Sequence, residues 1–230
     1  MCMKGLFALL LFIPFLSTTQ TKYNSESRKL FNKAEKEYKE GNVTIALGLF
    51  EECVKADSRH AEAYLNMSMI LYSRNQMGDA LKNAKKAYSN NKFEPAIYSQ
   101  LGKCYYHAMV YDSSAYYLQK SIDMGNKDEF IHIYLGKSLY QMEDYPGAIT
   151  HFESALALND KNPVTYNSRG KVYFMEGEWD KAEADFEKAL ELNPKSVGLF
   201  ANLANCELEN NKPEEALKHI EEGLLIADDA

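Results

Sequence analysis

The stretch Pro163–Ser196, PVTYNSRGKVYFMEGEWDKAEADFEKALELNPKS, decides the fold of this 230-residue chain. Its apolar and small residues Tyr166, Gly170 and Tyr173, then Ala182, Phe186, Ala189 and Leu192, recur at intervals of three and four. They do so on either side of a break at Glu176-Gly177-Glu178. That period predicts two amphipathic helices joined by a tight turn, and Pro194 just past the second run ends it.

Outward from this stretch the same register continues in both directions. Gly102, Gly136 and Gly170 are separated by 34 residues, as are Tyr72, Tyr106 and Tyr140, and Ala148, Ala182 and Ala216. Units of that length fall at 27-60, 61-94, 95-128, 129-162, 163-196 and 197-230, with no insertion between them. The eighth position of each unit is small throughout: Ala34, Ser68, Gly102, Gly136, Gly170 and Ala204. So is the twentieth, with Ala46, Ala80, Ser114, Ala148, Ala182 and Ala216. Small residues at two fixed positions let helix backbones approach closely, and bulky fourth and twenty-fourth positions such as Tyr166 and Phe186 fill the space they leave. A single helical hairpin cannot bury such a face alone, so the units must stack. The expected fold class is all-α, a solenoid of six antiparallel helix pairs.

These residues resemble the tetratricopeptide repeat (TPR) family, and the resemblance covers everything from Ser27 onward. It implies a right-handed superhelix whose concave face binds a partner protein.

Composition agrees with a folded chain: 46% hydrophobic residues with 12 Gly and 6 Pro is neither disordered nor collagen-like. The formal charge of -7 argues against nucleic acid, which asks for a basic surface, so neither DNA nor RNA is an expected partner. The first residues differ in kind. Lys4 precedes the apolar run GLFALLLFIPFL, Gly5 to Leu16, which is followed by the small polar residues Ser17, Thr18 and Thr19. That order matches a secretory signal over 1-19 with cleavage near Thr19, and leaves 20-26 as a lead into the first unit. Twelve residues reach only about 18 Å against a hydrocarbon thickness of about 30 Å, so a stable span is not expected; retention as an uncleaved anchor is the alternative. An exported chain is therefore expected, periplasmic in a Gram-negative cell or otherwise secreted or luminal. Of the cysteines left, Cys53 holds the twenty-seventh position and Cys104 and Cys206 the tenth, where they read as small buried apolar residues in units that do not touch.

No residue set reads as an active site: there is no phosphate-cradling glycine loop, nucleophile elbow, paired-His helix or Cys pair at metal spacing. The expectation is no enzyme, no cofactor and no metal. His132 stands in for an aromatic at the fourth position, His151 and His219 share the twenty-third, His60 lies in a turn, and His107 faces the expected groove. Charge runs such as Lys33 to Glu40 and Glu183 to Glu187 read as solvated faces. Asn42-Val43-Thr44 and Asn66-Met67-Ser68 match the glycosylation acceptor pattern, which has meaning only for a chain exported by a eukaryote.

The resemblance also implies that the first helix of each unit lines the groove, chiefly through its second, fifth, ninth, twelfth and thirteenth positions. The ninth carries Lys103, Lys137 and Lys171 in three consecutive units. The twelfth carries Tyr72, Tyr106 and Tyr140, joined at the thirteenth by His107 and Gln141. These eight residues are the candidate partner-binding groove, and the ligand they suggest is an extended acidic peptide or tail. Packing stands as the other role for the tyrosines, and pairing with acidic neighbours or water as the other role for the lysines. The carboxylate clamp of chaperone-binding relatives is not matched, since its positions here hold Phe31, Glu35, Asn66, Ala96 and Gln100. Glu37 and Glu207 at the eleventh position suggest polar end units, while Leu217, Ile220, Leu224 and Leu225 on the last helix suggest a bare edge and weak self-association. The expected function is a scaffold or adaptor in an envelope or secretion-related assembly; the alternative is an accessory chaperone that holds unfolded clients.

Overall fold

The computed structural model describes residues 22–228, so the signal stretch 1-19 and the start of the lead lie outside the described residues. Twelve helices and no strand occur among those described. They form six pairs: α1 (Ser25–Lys39) with α2 (Val43–Ala56), α3 (Ala61–Ser73) with α4 (Met77–Asn90), and α5 (Pro95–His107) with α6 (Tyr111–Asp123). Next come α7 (Glu129–Gln141) with α8 (Tyr145–Leu158), α9 (Pro163–Met175) with α10 (Trp179–Leu192), and α11 (Val197–Glu209) with α12 (Pro213–Asp228). Each second helix packs on the first helix of the following unit, and α3, α5, α7 and α9 also touch in succession. The first helices therefore line one continuous face.

The turn inside each unit has one conformation. Gly41, Asn75, Met109, Glu143, Gly177 and Asn211, all at the fifteenth position, have φ between 58° and 84°. In unit two the N–H of Gln76 donates to Leu71 C=O at 2.9 Å and that of Asn75 to Tyr72 C=O at 2.9 Å; unit four repeats this with Asp144 on Leu139 and Glu143 on Tyr140. This paired capping satisfies the last carbonyls of the first helix and reverses the chain in a few residues. Four of the six positions hold a residue other than glycine, so the hydrogen bonds and the stacking impose a left-handed φ that the side chain itself disfavours.

Small positions set the spacing within a pair. A Cβ placed on Gly102 would lie 2.7 Å from Leu118 Cδ2 and 3.2 Å from the Leu118 backbone nitrogen, and one on Gly136 would lie 2.8 Å from Phe152 Cε1. Where serine replaces the small apolar residue its hydroxyl is satisfied in the core: Ser68 Oγ donates to Ala80 C=O at 2.7 Å and Ser114 Oγ to Gly102 C=O at 2.9 Å. Gly102→Ala is expected to cost about 1–3 kcal/mol through overpacking. Gly48→Ala, on the exposed side of α2 with nothing within 4 Å of an added Cβ, is expected to gain about 0.5–1 kcal/mol from propensity and the unfolded chain. Urea unfolding of the two variants should move the midpoint in opposite directions.

The lead is tied down. Tyr23 stacks on His60 with centroids 3.9 Å apart, its hydroxyl bonds Glu62, and Asn24 caps α1 by accepting from the Ser27 N–H. Helix α1 consequently starts at Ser25, ahead of the Ser27 boundary expected from the register. Cys53, Cys104 and Cys206 are free and buried, and burial pushes the Cys104 and Cys206 thiols up to about 11, which keeps them protonated and inert.

Three charged residues depart from their expected exposure. Asp185, inside the run read as solvated, is 5% exposed and takes both its oxygens to Arg169 at 2.8 Å. Glu183, in the same run, pairs with Lys212 at 2.7 Å. Glu207, expected to mark a polar end unit, is 2% exposed and lies 2.8 Å from His219 Nδ1. Arg169 and His219 come from the other helix of the same pair and Lys212 from the turn before α12, and each ion pair or hydrogen bond offsets the cost of burying a carboxylate. On α12, Leu217, Leu224 and Leu225 are more than half exposed and Ile220 is 42% exposed. No described helix is long and apolar enough to cross a membrane.

Candidate functional site

The eight groove residues fall into two neighbouring groups on the face lined by α3, α5, α7 and α9. The first is built around a residue outside the expected set, Tyr134, at the sixth position of unit four. Its hydroxyl lies 2.7 Å from the Tyr72 hydroxyl and 3.5 Å from His107 Nε2, joining unit two to unit four across unit three. Tyr106 meets the Tyr134 ring edge to face at 5.3 Å, and His107 meets Tyr72 and Tyr106 in the same way at 5.2 and 5.4 Å. Four rings thus form a bar across the concave face. Burial, the Tyr134 bond and the Tyr134 charge hold the Tyr72 phenol well above its ordinary pKa, so it titrates nowhere near neutrality. Burial and then the Lys137 charge push His107 down, which leaves a neutral imidazole at pH 7. The tyrosine ladder of the sequence therefore packs on itself at Tyr72 and Tyr106.

The second group lies beside the bar, between α7 and α9. Tyr106, Lys137, Tyr140, Gln141 and Lys171 line a cleft of about 230 Å³ together with Asn167 and Ser168, over a floor of Phe152 and Val164. Five of the eight expected residues meet here.

The lysines differ in their surroundings. Lys103 sits 3.7 Å from Asp128, the residue that also caps α7, and its ammonium is about 6.0 Å from the Phe130 and Tyr134 ring centroids. Its charge is already compensated. Lys137 and Lys171 form no ion pair among the described residues; Lys137 lies 5.8 Å from the Tyr134 centroid and is half-buried. Burial and then the charge of Lys171 lower its pKa from the ordinary lysine value, the signature of a cation lacking an anion. The remaining polar groups of the cleft are mostly donors with hydrogens to spare. Asn167 Oδ1 accepts from Asn202 Nδ2 at 2.7 Å, which leaves its own Nδ2 unspent, and the side chains of Tyr106, Tyr140 and Gln141 have no hydrogen-bond partner among the described residues. Ser168 spends its hydrogen on Val164 C=O at 2.7 Å. Among the described residues no carboxylate lines the cleft. Its chemistry is that of an anion receptor with an apolar floor.

The network centre was readable only in part. The sixth position holds Asn32, Asn66, Gln100, Ser168 and Asn202 in the other units, so an aromatic at Tyr134 breaks the pattern at a groove-facing register. On the other side of the same hairpin, His132 and His151 meet with Nδ1 atoms 3.2 Å apart, although each belongs to a different position of the repeat. Among the described residues no group of three or more His, Cys, Asp or Glu is placed to hold a metal.

Tetratricopeptide repeat family models match residues 31–95, 163–196 and 186–218, and a TPR repeat model matches 136–177. No curated protein sequence matches. Among solved structures, YrrB, a TPR protein with an unusual peptide-binding site, is 22% identical with a TM-score of 0.64, over 78% of this chain and 93% of its own. MamA from residue 41 onward, of Desulfovibrio magneticus RS-1, is 18% identical with a TM-score of 0.67, over 74% and 96%. The Cut9–Hcn1 hetero-tetramer of the APC/C is 19% identical with a TM-score of 0.72, over 89% of this chain and 40% of that one. At these identities the likeness is one of fold. The repeat register, the helix pairs and the family models agree, and the chain belongs to the tetratricopeptide repeat family.

Proposed function

We propose that this protein is a non-catalytic scaffold or adaptor that holds an acidic segment of a partner protein in its concave groove, with the Lys137–Lys171 cleft as the anchor. The observation that carries the reading is the pair of ammonium groups in a preformed cleft that no carboxylate of the described residues lines. Two like charges held close with one of them half-buried cost free energy in the empty protein, and an anionic ligand relieves that cost on binding. The apolar floor of Phe152 and Val164 and the rings of Tyr106 and Tyr140 supply contact area for side chains of the same segment. YrrB, which shares the fold, has a peptide-binding site, and this supports a peptide as the class of ligand. The Lys4–Thr19 stretch supports an exported location, periplasmic in a Gram-negative cell, and with it a role in an envelope or secretion-related assembly.

The three lysines provide the test. Lys137→Glu with Lys171→Glu is expected to weaken partner binding at least about tenfold, the scale of one lost charge-assisted contact. Lys103→Glu alone is expected to matter less, because Asp128 already neutralises that position. Affinity purification of the mature chain and its variants, followed by titration with the recovered partner, reads both. Unchanged partner affinity in the double variant overturns the reading. Similar affinity for many unrelated unfolded chains, indifferent to both lysines, is the result that would assign the accessory-chaperone role instead.

A further inference from the structure

We propose that the Lys137–Lys171 cleft takes a dianionic phosphoryl group carried on a side chain of the bound segment, and that the partner is therefore recognised in its phosphorylated form. The inference rests on the reading of the groove as a peptide site, and it specifies the chemical group that enters.

The argument begins with charge. A carboxylate brings one negative charge and two acceptor oxygens, whereas a phosphoryl group on Ser, Thr or Tyr brings about 1.5 to 2 negative charges at pH 7 and three acceptor oxygens. The cleft presents two ammonium groups with no ion pair among the described residues, so a single carboxylate leaves one cation uncompensated. A dianion balances both.

Donor count points the same way. Lys137 and Lys171 supply ammonium hydrogens, the Asn202 bond to Asn167 Oδ1 leaves the Asn167 amide hydrogens unspent, and the Tyr106 and Tyr140 hydroxyls have no partner among the described residues. These five groups come from α5, α7 and α9, so they approach the space between from different sides. A carboxylate offers about four acceptor sites in one plane, whereas a tetrahedral group with three terminal oxygens offers more sites and meets donors from more directions. At about 230 Å³ the cleft also has room for a group larger than a carboxylate.

Lys103, the third member of the ladder, explains why the site is localised. Asp128 neutralises it, and the Tyr72–Tyr134 bar separates unit two from the cleft. The groove therefore concentrates uncompensated charge at one point instead of spreading it along three units, which suits a single dianion better than a run of acidic residues.

Isothermal titration on the full mature chain tests this with three versions of one segment of the partner: unmodified, phosphorylated at one serine, and carrying two adjacent glutamates in place of that serine. The phosphorylated version is expected to bind about tenfold tighter than either of the others, and inorganic phosphate to compete with it. Lys137→Gln with Lys171→Gln should shrink the preference to within about twofold, and Asn167→Ala should reduce it. Circular dichroism of each variant confirms that the helices are retained. If the two-glutamate version binds as tightly as the phosphorylated one, the phosphoryl assignment is overturned while the groove reading survives. If none of the three binds the wild-type chain, the groove reading fails and this inference fails with it.

Discussion

Alanine in place of Phe186 is expected to lower the stability of units five and six by about 3–5 kcal/mol and to make them unfold ahead of the rest. Phe186 is 1% exposed and sits in a cluster with Ala182, Leu203 and Cys206, to which Tyr173, Phe174 and Trp179 add their partly buried rings. Its ring also occupies the space above Gly170, where an added Cβ would lie 2.9 Å from Phe186 Cε1, so no larger neighbour stands ready to collapse into the cavity. In a globular domain such a loss is spread over the whole cooperative unit. In a solenoid each unit packs chiefly on its neighbours, and the weakened junction between units five and six uncouples locally. Trp179 is the single tryptophan, and it lies at the start of α10 against Phe174, so its fluorescence reports this junction alone. In urea the fluorescence midpoint should fall below that of far-ultraviolet circular dichroism. Ile220, at the same position of unit six, is 42% exposed, and its alanine variant should cost less than about 1 kcal/mol. Coincident midpoints in Phe186→Ala, or equal costs at the two positions, would contradict this account.

The same comparison shows how far the sequence could be read. A 34-residue register names the helices and the small positions because those are set by steric needs that every unit shares. It names the turn where Gly41 and Gly177 stand, but not where Met109 and Glu143 take the same left-handed φ, because there hydrogen bonding decides against local preference. It fails for features that belong to one unit only. The lysine ladder is regular in sequence, yet Asp128, twenty-five residues beyond Lys103, removes one rung. Tyr134 has no counterpart at its position, so the bar it forms with Tyr72, His107 and Tyr106 is visible only once the units curve toward one another. Function in this fold sits in those departures, while the shared pattern builds the frame.

Arg169→Ala is the second change with a large expected effect, and its dependence on pH identifies the cause. Asp185 is buried between α9 and α10, where Arg169 Nε and Nη2 each donate to one of its oxygens at 2.8 Å. The guanidinium is itself held near the faces of Tyr166 and Tyr173, 5.9 and 5.8 Å from their centroids, so it has little freedom to leave. Removing Arg169 strands a buried carboxylate, a change that costs about 3–5 kcal/mol at neutral pH. Burial already outweighs Arg169 and holds the Asp185 carboxyl above its ordinary value of 3.8, and losing the guanidinium raises it further. A carboxyl whose pKa is higher folded than unfolded binds its proton more tightly in the folded state, so its ionisation subtracts stability as pH rises through the folded value. In the variant that subtraction is larger. The difference in unfolding free energy between wild type and Arg169→Ala should therefore be greatest near pH 7 and should shrink as pH falls toward 4 and Asp185 takes up its proton in the folded state. Replacing both members, Arg169→Met with Asp185→Leu, leaves no charge to strand and is expected to come within about 1 kcal/mol of wild type at every pH. A deficit in Arg169→Ala that stays constant from pH 7 to pH 4, or that persists in the double variant, would assign the loss to the packing of the arginine stem on Tyr166 and Tyr173 instead of to the buried charge.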